Sequence, residues 1–340
     1  MAEPAECKKF VMVGHVDHGK STFCGRVLYD SGYVQEHQMD ELRKRAKANK
    51  KQGWEFAYIL DIFEDEQERG KTMDYTSVDF TRKGKNYTLV DTPGHKHLIR
   101  TLITGLNHYD TTNMVGCLAV SCAENEFEGG LSNGQTKEDI LLLRASGIEN
   151  LIVLINKMDL VDWNMEIFKS RQERLDTHIK KFGFKRVEYL GASAYQGRGI
   201  DDFFNLLDSF KLDNDKVELE QQELCEQIVI QLKVLYDDTF DKLITTGFTL
   251  VLHVRQSEYQ VTIDGFKHYD TKTRKIVSKI GGNYVMKNGD VVLAKVSIIV
   301  EPGSKKEKFY IGLKDRVILR SEDSTIAFGR VYKMVGSGSD

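Results

Sequence analysis

A chain of 340 residues, 41% hydrophobic and 29% charged, has the composition of a soluble protein and room for two or three separately cored domains. Its net charge of -3 excludes a global pull toward nucleic acid, so any RNA contact has to be local. No apolar run reaches the length of a membrane span and MAEPAECKKF lacks a signal-peptide core, while five cysteines without a CxxC pair or metal-ligand cluster read as reduced thiols of a cytoplasmic protein.

The apolar run Phe10-Val11-Met12-Val13 predicts a buried strand that delivers the chain into GHVDHGKST, residues 14–22. Gly14 and Gly19 remove the Cβ obstruction, so successive backbone N–H groups can approach phosphate oxygens, and a helix from Gly19 aims its partial positive end at the same place. Lys20 reaches the outer phosphates and the Ser21 hydroxyl suits Mg²⁺. With His15, Val16, Asp17, His18 and Thr22 lining the rest, this is a complete G-x4-G-K-S phosphate loop. The basic run RKRAKANKK, 43–51, reads first as an exposed helix face and second as a contact for rRNA.

Next, YTLVD predicts a strand that carries Asp91 to the end of a sheet, followed by a turn at Gly94 and a helix near 97–107. An Asp after a strand is usually a turn residue; after a phosphate loop it becomes the group that holds Mg²⁺ through water, with the Gly94 N–H on the third phosphate. MVGCLAVS predicts a further strand and LLLRASG a helix. LIVLIN then leads into NKMD and a helix near 166–182. The Asp159 carboxylate can accept from guanine N1–H and the exocyclic 2-amino group together, donors that adenine lacks. Lys157 lays its stem over the base, Asn156 ties the segment to neighbouring loops, and the backbone at Ser193 and Ala194 in LGASAYQ can meet guanine O6. The ligand is therefore GTP or GDP. An adenine-nucleotide enzyme would leave NKMD and DTPGH without a purpose.

Strands alternating with helices predict an α/β domain, a mostly parallel sheet with helices on both faces, over 1–212. An acidic, Gln-rich linker covers 213–224. Residues 225–335, with runs such as IVIQLKVLY, TGFTLVLHV, EYQVTIDGF, DVVLAKVSIIV and TIAFGRVYKM and a KNGD turn, predict a small β-barrel or sandwich, and 336–340 a flexible tail.

At GHVDHGKST, FAYILDIFEDEQERGKTMDY, DTPGH, LITG, EFEGGLSNGQTKED and LIVLINKMD the chain resembles the translational GTPases, most of all the branch of eukaryotic elongation factor 1-alpha and the release-factor and ribosome-rescue GTPases. The resemblance covers essentially the whole first domain. It implies a GTP-hydrolysing switch, slow without an activator, in which Thr72 contacts Mg²⁺ and the third phosphate and His95 positions the attacking water. Catalytic roles thus fall to His95, Lys20 and Thr72, and Mg²⁺ to Ser21, Thr72 and, through water, Asp91. Asp17 sits where some members help to bind a monovalent cation. Outside its DTPGH context, His95 would read as a turn histidine.

Two departures qualify the resemblance. Relatives carry isoleucine before the switch threonine where this chain has Lys71, a cation that cannot form the same dry barrier beside the water. The family also has two barrels after the GTPase domain, whereas 213–340 suffices for one, which resembles the last of them; this argues against aminoacyl-tRNA delivery in the familiar geometry. The expected protein is a cytoplasmic monomer without membrane contact, and its partner a ribosome, through rRNA, or a translation-related protein. The alternative is a nucleotide-dependent clamp with little hydrolysis, acting away from the ribosome.

Overall fold

The computed structural model describes residues 7–49, 53–60, 76–92, 114–132, 134–211, 222–236, 240, 242–255, 257–270, 273, 275–277, 285–299, 308–321 and 324–336. The chain divides into two compact units, one built essentially from residues up to 215 and the other from residue 216 onward.

In the first unit the described elements run β1 (Cys7–Val13), α1 (Lys20–Asp30), α2 (Glu36–Ala48), β2 (Thr76–Arg82), β3 (Lys85–Asp91), β4 (Met114–Ser121), α3 (Glu124–Ser132), α4 (Gln135–Ala145), β5 (Asn150–Asn156), α5 (Met165–Ile179), β6 (Arg186–Gly191) and α6 (Ile200–Ser209). The sheet order is β2-β3-β1-β4-β5-β6. Five strands are parallel and β2 alone is antiparallel. Sequence reading passed over β2. It is one arm of a hairpin turned by Lys83 and Gly84, both left-handed at φ 47 and φ 77, the form that matches strand twist in a two-residue turn. Its buried Val78 and Phe80 alternate with exposed Asp79 and Thr81, a period-two pattern visible in TSVDFTR.

Every residue of β4 is buried, as expected of a strand covered on both faces. On one face Phe10, Met12, Leu89, Cys117 and Ile152 join the core formed with α1, α2 and α6. Side chains alternate across the sheet, so the equally buried Val11, Leu118, Val120 and Val153 cover the other face. There Leu143 of α4 lies against Gly116. Phe203 of α6 fastens the first core, with ring centroids 5.3 Å from Phe10, Phe23 and Phe204. Buried aromatics of this kind are worth about 3–5 kcal/mol each on truncation. The helix expected near 97–107 lies outside the described residues; that expected near 166–182 is α5 followed by a 3-10 turn, Lys180–Phe182, and ends at left-handed Gly183.

The part of the basic run on α2 is an exposed face. Leu42 and Ala46 turn inward, Arg43 pairs with Glu36 and Asp40, and Arg45 sits 4.9 Å from the centre of the Tyr58 ring.

The second unit contains β7 (Glu223–Cys225), β8 (Gln227–Val234), β9 (Ile244–Thr245), β10 (Thr249–Val254), β11 (Ser257–Asp270), β12 (Lys275–Val277), β13 (Val285–Met286), β14 (Val291–Ile298), β15 (Phe309–Ile311), β16 (Arg316–Arg320) and β17 (Thr325–Val335). Strands β10-β16-β17-β8-β14-β11 are hydrogen-bonded in that order, and β11 pairs back to β10, closing a six-stranded antiparallel barrel. Closure removes the sheet edges. Strand β8 shows the pattern plainly, with Ile228, Ile230, Leu232 and Val234 buried and the residues between them half-buried. Bulges at Ile263/Gly265, Leu319/Arg320 and Val331/Lys333 supply the curvature that a small barrel needs. The KNGD turn before β14 carries left-handed Gly289, and the Asp290 carboxylate accepts from the Lys287 N–H.

Among the described residues no helix is long and apolar enough to cross a membrane. All five cysteines are free thiols.

Candidate functional site

The carboxyl ends of β1, β3 and β5 lie at the end of the sheet where doubly wound folds bind ligands. The loop from Gly14 to Gly19 leaves β1 and enters α1, with Gly19 at the helix start. Its two glycines are required by space as well as by conformation. A Cβ on Gly14 would stand 2.5 Å from the Ala119 carbonyl oxygen, and one on Gly19 would stand 2.4 Å from Nδ2 of Asn156, each at a positive φ. Asp17 is also left-handed, at φ 67, and is exposed at the crest of the loop. His15, Val16, Ser21 and Thr22 are half-buried around it.

Lys20 and Asp91 meet at this point. The ammonium lies 2.8 Å from Oδ1 of Asp91, both side chains almost fully withdrawn from solvent. Burial alone would lower the Lys20 pKa, but Asp91 outweighs it and holds the lysine above its ordinary range, charged at neutral pH. Thr92 donates to the Met12 carbonyl at 2.8 Å and fixes the end of β3 beside β1. The glycine cradle, a buried charged lysine and the hydroxyl of Ser21 together fit a phosphate chain, and Ser21 with Asp91 is the sparse oxygen set that suits Mg²⁺ shared with phosphate. Among the described residues no group of three or more His, Cys, Asp or Glu offers a metal site of its own.

Asn156 does what its place at the end of β5 suggested. Its amide donates to the His18 and Gly19 carbonyls at 3.1 and 3.4 Å, and its oxygen accepts from the Ala194 N–H at 3.2 Å. One side chain therefore joins the phosphate loop to the loop after β6. Lys157 is left-handed at φ 62 and its ammonium contacts both oxygens of Glu126 at 2.8 Å. Asp159 follows, half-buried on a short 3-10 turn, Met158–Val161, anchored by the Met158 N–H on the Ala192 carbonyl. Ser193 and Ala194 are buried, and both of their N–H groups are engaged within the protein: Ser193 donates to the Arg198 carbonyl and Ala194 to Asn156.

Several contributors escaped sequence reading. Glu126 pairs with Lys157, although it falls within the quoted EFEGGLSNGQTKED segment. The Arg198 guanidinium lies 3.9 Å from the centre of the Trp163 ring, and the Trp163 indole donates to Gln196, so the loops carrying Asp159 and Ser193 are stapled together. His18 is buried, with Nδ1 3.3 Å from the Ala119 carbonyl oxygen and Nε2 3.0 Å from that of Glu126; burial lowers its pKa, leaving a neutral ring. Lys71, Thr72, Gly94 and His95 lie outside the described residues.

Residues 5–213 match the family of the elongation factor Tu GTP binding domain. Elongation factor 1-alpha of Aeropyrum pernix is 41% identical over 197 residues, covering 56% of this chain and 44% of that protein. The Ignicoccus hospitalis elongation factor 1-alpha is 38% identical over 195 residues, with coverage of 56% and 43%. The chain thus spans less than half the length of these relatives. The GTP-bound GTPase-like domain of Saccharomyces cerevisiae Ski7 superposes with a TM-score of 0.70 at 15% identity, covering 96% of this chain and 97% of that one, a likeness of fold. The match over more than half of the chain, with the phosphate loop and the Asn156 segment in one site, establishes that this protein belongs to the elongation factor Tu GTP-binding-domain family.

Proposed function

We propose that the chain is a guanine-nucleotide switch of translation that binds GTP, hydrolyses it slowly, and accelerates when a ribosome or a translation-related protein docks. One observation carries the reading: Asn156 bridges the phosphate loop and the Ala194 loop while Lys20 stands charged beneath the same loop, so triphosphate and base elements form one unit. Lys20 and the main-chain amides of 14–22 neutralise charge on the phosphates, and Asp159 reads the guanine donors. Contact of guanine O6 with Ser193 or Ala194 shares one of their engaged N–H groups in a three-centre bond.

Ser21, Thr72 and Asp91 would hold Mg²⁺, which when bound adds positive charge against the phosphate oxygens. Gly94 would face the third phosphate, His95 would orient water, and Asp17 would help to hold a monovalent cation. We assign the nucleotide domain to 1–212, the linker to 213–224, and a barrel like the last one of elongation factor 1-alpha to 225–335. A cytoplasmic monomer acting through its switch segments and this barrel completes the reading.

The test is single-turnover GTP hydrolysis with and without eukaryotic 80S ribosomes, with His95→Ala as control. The expected result is slow basal turnover, stimulation by ribosomes, and loss of most of that stimulation in the variant, about 10²-fold or more. Tight GTP binding with no stimulation would favour the clamp reading, to which Lys71 beside the switch threonine lends support. Absence of guanine-nucleotide binding would overturn both.

A further inference from the structure

Glu126, the third residue of α3, touches both halves of the candidate site. Its carboxylate accepts the Lys157 ammonium at 2.8 Å on each oxygen, and its main-chain carbonyl lies 3.0 Å from Nε2 of His18 in the phosphate loop. Ser121, whose strand position pairs with Asn156, also favours the charged form of this carboxylate. Burial would raise the Glu126 pKa, but Lys157 and Ser121 outweigh it and keep the group ionised at neutral pH.

What this carboxylate controls is the side chain of Lys157 rather than its backbone. The Lys157 carbonyl already accepts from the Cys122 thiol at 3.0 Å, which ties the main chain to the end of β4 without Glu126. The four-carbon stem is the free variable, since an ammonium on such a stem has many rotamers of similar energy. In the structure the stem crosses Gly19, with Cε 3.7 Å from the place a Gly19 Cβ would occupy, and the two-oxygen contact selects that path. The stem thereby lies along the phosphate loop, two residues before the base-reading Asp159.

We infer that Glu126 is a positioning residue for nucleotide recognition: it holds the Lys157 stem across the phosphate loop and so sets the affinity for guanosine di- and triphosphate. The inference rests on the guanine-nucleotide reading above. Lys157 in this arrangement is prepaid in entropy, because the ligand does not have to order it on arrival. Neutralising Glu126 leaves the backbone path intact and releases the stem.

Calorimetric titration with GDP of four full-length proteins tests this: wild type, Glu126→Gln, Lys157→Met and the double variant. Glutamine keeps the length of the side chain while removing the charge. Glu126→Gln should weaken GDP about tenfold in the wild-type background and less than about twofold in the Lys157→Met background, because the residue acts only through Lys157. Loss of similar size in both backgrounds, or no loss in either, would overturn the inference. Thermal melting of the nucleotide-free variants guards against a folding defect; should Glu126→Gln melt far below wild type, Glu126→Asp, too short by one methylene for the two-oxygen contact, must show the same dependence on Lys157. A wild-type protein that fails to bind GDP defeats the guanine-nucleotide reading itself, whereas wild-type binding with additive losses defeats only the role of Glu126.

Discussion

At the scale of single residues, the proposed recognition of guanine rests on Asp159, a carboxylate that only accepts hydrogen bonds when ionised. Guanine offers it two donors, and a site built to pair such donors rejects a ligand without them strongly. Asp159→Asn presents one acceptor and one donor. It should weaken GDP by roughly 10²-fold or more and narrow the gap to xanthosine diphosphate, whose C2 carbonyl accepts from the new amide. Competition titration with the two nucleotides checks this; an unchanged preference would remove Asp159 from base reading. Asp159 was legible in LIVLINKMD because a strand, an exit and a carboxylate are all local. Glu126 was not, since nothing in the order of residues ties position 126 to position 157.

At the scale of elements, α4 contains a group at odds with its surroundings. Asp139 is 5% exposed, and its Oδ2 has no hydrogen-bond partner. Burial, reinforced by neighbouring Glu138 and opposed by Lys20, pushes its pKa from 3.8 up to about 8. Between those two values the folded protein keeps the proton while the unfolded chain loses it, so the contribution of Asp139 to stability falls as pH rises from about 4 to about 8. Asp139→Asn is neutral throughout and escapes this loss. Urea unfolding should show little difference from wild type at pH 4 and a gain of the order of 5 kcal/mol for the variant at pH 8. A gain that does not grow with pH would show that Asp139 is ionised in the fold. The element itself was foreseen from LLLRASG, though as one helix; α3 and α4 are two, because the segment up to Ser132 forms its own nine-residue helix before α4 begins at Gln135.

At the scale of the whole molecule, each unit has its own apolar centre: the aromatic cluster around Phe203 in the first and the barrel interior around Ile230 and Leu252 in the second. Ligand binding stabilises only the unit that binds. Scanning calorimetry is therefore expected to resolve two transitions, of which GDP at a hundred times its dissociation constant raises one by about 2.7 kcal/mol and leaves the other in place. A single transition that shifts as a whole would show that the two cores unfold together.

The sequence by itself determined the chemistry of the loops and the class of each unit. A glycine at a left-handed position, a lysine at a helix start and an alternation of two or of three to four residues are properties of a few neighbours, and GHVDHGKST, NKMD and the β8 run could be read without knowing what they face. Only the tertiary structure decided that Asn156 reaches a loop 138 residues away, that β11 pairs back to β10 to close the barrel, and that Glu126 receives Lys157. Those outcomes depend on which distant segments the packed cores bring within about 3 Å, and a hydrogen bond is lost when that distance grows by less than the width of one atom.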